Sequence, residues 1–301
     1  MTQGPQNEWA EGRPLPVANL TGYELDSQFV GDRFAITVAT PPMYEMTTEP
    51  LPTLYVLDQT VTFTIVAGCT RTFALFASGY FPQLLVVGVG YPLAPLTHNV
   101  ARRNRDLTPT AAPFPAVEPA MVADTSLGVG GGPRFLQCLI EEVIPGIQAR
   151  YRVHPTDRTL IGWSLSGLFG LYTLFHRPET FKRYLLVSPS IFWDEAICFS
   201  YEEAWAKQHT DLAAQVFCAV GETEESPDRN WPPPSSRAME EMLRSARMVS
   251  DLEKLTNRLG MRGYPNLKLE SVVFPDEHHL TVFPAAVSRG VVRLFGEADR
   301  G

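Results

Sequence analysis

The sequence predicts an α/β fold with a mostly parallel central sheet and helices on both faces. Three observations carry that prediction. Residues 52–58 (PTLYVLD) and 83–90 (QLLVVGVG) are continuous apolar runs, the pattern of strands buried on both sides. Short β-branched or aliphatic runs alternate with segments of helical period along most of the chain. Between one such pair lies Gly162-Trp163-Ser164-Leu165-Ser166-Gly167, a sharp turn from strand into helix.

Taken in order, residues 1–20 are polar and Pro-rich and read as an N-terminal extension to a single domain over 21–301. Residues 24–30 and 33–39, joined by Gly31-Asp32, read as a hairpin. The two apolar strands follow, with a helix expected over 64–78 between them. From 96 to 132 the chain reads as a long loop, with several prolines and the tract Gly128-Val-Gly-Gly-Gly132. An irregular segment of that length usually borders an active site. Phe135, Leu139, Val143 and Ile147 recur at helical spacing and predict a helix over 135–150. Further strands are expected at 159–162, 183–187, 215–220 and 267–274, with helices between them and at 285–295. Residues 225–236, with Trp231 and three consecutive prolines, form a second irregular excursion and lid candidate. No internal repeat is present.

Composition narrows the function classes. The chain has 301 residues, 45% hydrophobic and 19% charged, an ordinary globular balance. A net charge of −8 with no Lys/Arg block argues against nucleic-acid binding. No apolar run reaches the roughly 18 residues that would span a bilayer. The first residues show neither a cationic nor an apolar leader segment, so a cytoplasmic protein is expected. Cys69, Cys138, Cys198 and Cys218 form no C-x-x-C pair and are expected to be reduced and buried. Neither a metal nor a cofactor is expected.

The turn at Ser164 carries the chemistry. In a G-x-S-x-G turn the serine adopts a strained conformation that lifts its Oγ above the sheet. The helix that follows offers free N–H groups to a developing oxyanion. Here Ser166 stands where the motif has glycine, with the glycine displaced to Gly167. A serine near neutral pH needs a base to take its proton. His98, His154, His176 and His209 suit surface or helix-end positions, His176 at a C-terminus where a cation is favoured. His278 and His279 follow the last strand, and in an α/β-hydrolase the chain order is serine, acid, histidine. His278 reads as a solvated loop residue or a wall contact. The acid is expected after the strand at 215–220, where Glu224 is the choice, with Glu225 and Asp194 as alternatives.

Residues 131–195 (GGPRFLQ to SIFWDE) resemble the esterase branch of the α/β-hydrolases. That branch holds siderophore esterases, S-formylglutathione hydrolase, feruloyl esterases and mycolyltransferases. LPTLYVLDQ (51–59), LLVVGVGYP (84–92), RDLTP (105–109), AVGETEE (219–225) and EHHLTVFPAAVSRGVVRLF (277–295) fall in the same order as in that family. The resemblance implies Ser164 as nucleophile and His279 as base. It implies an oxyanion hole from the N–H groups of Leu165 and of Gln59, the residue after Asp58. Family members usually carry Gly at the position of Gln59 and His at that of Trp163. The Gln59 side chain is therefore expected to crowd the acyl oxygen. Some siderophore esterases resemble a Ser/His dyad without an effective acid.

These readings lead to a serine carboxylic-ester or lactone hydrolase working through an acyl-enzyme, on a siderophore or another secondary-metabolite ester. The alternatives are an acyltransferase on the same scaffold and a catalytically silent binding relative. Tyr91, Trp163, Phe192 and Trp193, with Trp231, are candidates for an aromatic substrate wall. Arg105, with Arg102 and Arg103, is a candidate contact for an anionic ligand such as a ferric catecholate. The expected partner is a small-molecule ester; oligomeric state is left open.

Overall fold

The hairpin that starts the chain is present with its turn moved toward the N-terminus. In the computed structural model, which describes residues 19–93, 96–113 and 124–296, β1 (Leu20–Asp26) pairs antiparallel with β2 (Arg33–Ala39). The strand therefore begins within the expected extension and ends before Val30. Ser27 N–H donates to Asp32 O and Gly31 N–H to Ser27 O, so 27–32 form a closed loop. Residues 1–18 of the extension lie outside the described residues.

β3 (Leu51–Leu57) leads into α1 (Gln59–Phe76), which starts five residues earlier than its apolar period suggested. β4 (Leu85–Gly90) follows. The expected loop from 96 is corrected at its start, because α2 (Leu96–Leu107) is a helix. Next come α3 (Gly132–Cys138), a π turn over Leu139–Val143 and α4 (Ile144–Gln148). Pro145 has no N–H to donate back along the helix, and the π turn accommodates that break. β5 (Val153–Trp163) runs into α5 (Leu165–His176), and β6 (Arg183–Val187) into the single turn α6 (Trp193–Ala196) and α7 (Cys198–Gln208). β7 (Ala214–Gly221) ends in a 3-10 turn over Glu222–Glu225. After an irregular stretch come α8 (Arg237–Ser245), α9 (Met248–Arg262), β8 (Leu267–Phe274) and α10 (Val282–Phe295).

The eight strands form one sheet in the order β1-β2-β4-β3-β5-β6-β7-β8, parallel from β4 through β8. Strand alternation sorts the core into two layers. Tyr55, Leu57, Val87, Tyr184, Leu186, Val216 and Cys218 face the layer that holds Phe135, Phe169 and Leu252. Leu54, Val56, Val86, Leu185, Val187 and Phe217 face Phe63, Val66 and Val287 of α1 and α10. α5 is buried from Leu165 to Phe175, as expected of a helix apolar on every side. Among the described residues no helix is long and apolar enough to cross a membrane.

One consequence for function is geometric. Asp58, Ser164, Glu224 and His279 all follow the carboxyl ends of parallel strands (β3, β5, β7 and β8). In open α/β sheets that edge is where ligands bind.

Candidate active site

Ser164 has φ 61° and ψ −120°, a conformation side chains rarely adopt. Such strain costs on the order of 1–3 kcal/mol and persists only where the surroundings enforce it. Three backbone hydrogen bonds do so. Ser164 N–H donates to Val187 O (3.0 Å), and Ser164 O accepts from Leu168 N–H (2.9 Å) and Ser190 N–H (3.2 Å). Gly162 allows the helix to turn back over the strand. A Cβ there would lie 2.2 Å from Ser166 O and 2.5 Å from its carbonyl carbon. Gly162→Ala is therefore expected to cost roughly 3 kcal/mol, since backbone must move to relieve the overlap. A thermal midpoint within a degree of the parent would contradict this reading of the turn.

His279 Nδ1 lies 2.7 Å from Glu224 Oε2. The Glu224 carboxylate is 2% exposed and its other oxygen accepts from Ser188 Oγ (2.6 Å) and Gly221 N–H (2.7 Å). Ser188, Gly221 and the His279 ring thus surround one buried carboxylate, a placement that orients the ring. The imidazole also packs on the Trp163 ring, with centroids 5.1 Å apart, and Trp163 packs in turn on Phe283 of α10. Ser164, Trp163, His279, Asp58, Gln59, Tyr91 and Arg103 line one cavity of about 290 Å³. A larger cavity, about 380 Å³, lies against α1, and its described lining contains no histidine, cysteine or carboxylate.

Of the alternatives for the acid, Glu225 is engaged elsewhere and Asp194 makes no hydrogen bond to the ring. Glu225 accepts from Ser250 N–H (2.6 Å) and Ser250 Oγ (2.7 Å) in the first turn of α9. Asp194 sits in the strained turn α6 with φ 49°. His278 is corrected from a solvated position to a buried one, 8% exposed, with its ring 5.5 Å from that of the exposed Trp231. His176 does close α5, with Nδ1 2.8 Å from Tyr172 O, but burial holds its ring below the usual histidine range, against a standing cation.

Several expected wall residues do not reach the cavity. Trp193 is 1% exposed in the core, where Nε1 donates to Thr110 Oγ1 (3.0 Å). Phe192 is half-buried against the same core and does not line the cavity. Arg105 is turned away, paired with Asp106 (2.7 Å) and Asp32 (3.0 Å), while Arg102 pairs with Asp32 (3.1 Å). The arginine at the cavity is Arg103, in a two-point pair with Asp58 (2.8 and 3.0 Å). Tyr91 lines the cavity while its hydroxyl donates to Asp106 Oδ2 (3.0 Å). Burial and that neighbouring carboxylate push the phenol well above its ordinary range, so it stays a neutral donor. The Gln59 side chain lies over β4 beside Gly88 and Gly90, and its Nε2 donates to Ala35 O in β2 (2.8 Å). Sequence reasoning missed Ser188, whose only signal was a Ser-Pro-Ser run after β6.

A parallel sheet with a serine elbow, and a carboxylate and imidazole carried by later strands, is the architecture of the α/β-hydrolases. Residues 27–252 match the family described as "Putative esterase". The chain belongs to that family and is an ester hydrolase. It is 29% identical to a siderophore triacetylfusarinine C esterase of Aspergillus fumigatus, covering 94% of this chain and 95% of that one. It is 27% identical to the ferri-bacillibactin esterase BesA of Bacillus subtilis, over 80% of this chain and 77% of that one. The fold matches the siderophore hydrolase EstA from Aspergillus nidulans with a TM-score of 0.81, at 24% identity, over 97% of this chain and 99% of that one.

Proposed function

We propose that this protein hydrolyses the ester bonds of a siderophore through an acyl-enzyme on Ser164. The observation that carries the mechanism is the 2.7 Å Glu224–His279 contact opening onto the cavity that Ser164 also lines. His279 takes the Ser164 proton and the alkoxide adds to the ester carbonyl. The first-turn N–H groups of α1 and α5, at Gln59 and Leu165, have no acceptor within their own helices and receive the developing oxyanion. The imidazolium that forms is stabilised by the buried Glu224 carboxylate and by the face of Trp163. It then protonates the leaving alkoxide. Water enters, His279 takes its proton, and the same steps in reverse free Ser164 and release the acid.

The substrate class is supported by relatives at 27–29% identity whose names specify siderophore esters. The described wall suits a bulky, mostly apolar ligand: Val61, Val100, Tyr91 and Trp163 line the cavity, and Arg103 is already matched by Asp58. Incubation with a ferric siderophore containing ester bonds, followed by mass spectrometry, tests the proposal. Each cleaved bond should add one water to the products, with heavy-oxygen water labelling the new carboxylate. An intact siderophore alongside steady turnover of an aryl ester would overturn the substrate class.

A further inference from the structure

Two residues that depart from the usual glycines of this elbow and turn, Ser166 and Gln59, meet on either side of Asp58. Ser166 is fully buried. Its Oγ accepts from Trp163 N–H (2.8 Å) and lies 2.8 Å from both Trp163 O and Asp58 Oδ2. A hydroxyl has one proton, and the carboxylate is the stronger acceptor. Asp58 itself has φ 57° and ψ 39°. Arg103 donates to both oxygens of its carboxylate, and the Asp58 carbonyl accepts from Val61 N–H (3.0 Å) and Thr62 Oγ1 (2.9 Å). The Gln59 side chain fills the space above Gly88 and Gly90 of β4, where an added Cβ would come within 2.7 Å of Gln59 or Phe63.

We infer that Ser166 and Gln59 clamp the Asp58 turn and thereby set the spacing of the two oxyanion donors. Leu165 immediately precedes Ser166, and Gln59 immediately follows Asp58. The Ser166–Asp58 hydrogen bond therefore ties the two donor segments together one residue from each donor. Gln59 anchors the same turn to β2 through Ala35 O. Ser166 is a positioning residue: it acts through backbone N–H groups and touches no reacting atom. Its hydroxyl restrains donors that bind charge only as it develops, so its loss acts on the transition state and spares substrate binding.

The inference rests on Ser164 being the nucleophile, and the experiment separates the two. Ser166→Ala and Ser166→Gly are expected to lower kcat about tenfold, which is ~1.4 kcal/mol, with KM changed less than about twofold. Affinity for an alkylboronic acid, a tetrahedral mimic, should fall by the same factor. Ser166 variants with parental kcat and boronate affinity, and a lower thermal midpoint alone, would overturn the clamp while Ser164 remains labelled by a fluorophosphonate. Full activity of Ser164→Ala would instead overturn the nucleophile on which the clamp depends.

Discussion

Ser164→Ala is expected to lower kcat on aryl and siderophore esters by on the order of 10⁴-fold or more, with little change in thermal stability. The alanine removes the oxygen that the proposed mechanism acylates. It leaves the turn's backbone bonds to Val187, Leu168 and Ser190 in place. His279→Ala should cost about as much, and the double variant no more than either single one, because proton and nucleophile act in one step. Steady-state kinetics on the three purified variants checks this. Additive losses would show that the two side chains do not work as a unit.

Glu224→Gln is expected to lower kcat by roughly 10²–10⁴-fold. Glutamine nearly matches glutamate in shape but brings one donor and loses the negative charge. Glu224 is surrounded by donors: Ser188 Oγ and Gly221 N–H on one oxygen, His279 Nδ1 on the other. An amide NH₂ turned toward His279 would require Nδ1 to accept, leaving the proton on Nε2, the nitrogen that takes one from Ser164 in the proposed mechanism. Glu225→Gln should stay within about twofold of parental kcat, since its carboxylate serves Ser250 at the start of α9. Equal losses in both variants would point to loop stability and away from ring orientation. Retained activity in Glu224→Gln would mark a Ser/His dyad.

The sheet was legible because its signals are local. β6 and β8 begin and end where their apolar runs do, and the Ser164 turn announces itself through the Gly162 and Gly167 spacing. α2 was not legible. Its stretch is rich in arginine, and two of those charges are matched by Asp32 and Asp58, far away in the chain. Arg105 was read as a ligand contact in part for the same reason: one of its two partners, Asp32, is brought to it only by folding, while the other, Asp106, is its neighbour in the chain. Trp193 follows β6 in a turn with positive φ at Asp194 and Glu195, where no period says which side chain faces the core. Glu224 and Glu225 are adjacent in a 3-10 turn, so one points to the His279 loop and the other to α9. Gln59 and Ser166 look like defects in a motif when each is read alone. Together they bracket Asp58.

The most direct test of the account is labelling of the native protein with a fluorophosphonate and mapping of the modified peptide. One adduct per chain, on Ser164, slowed strongly in His279→Ala, is the expected result. Absence of an adduct in protein that still hydrolyses esters, or an adduct on another serine such as Ser188 or Ser190, would contradict it.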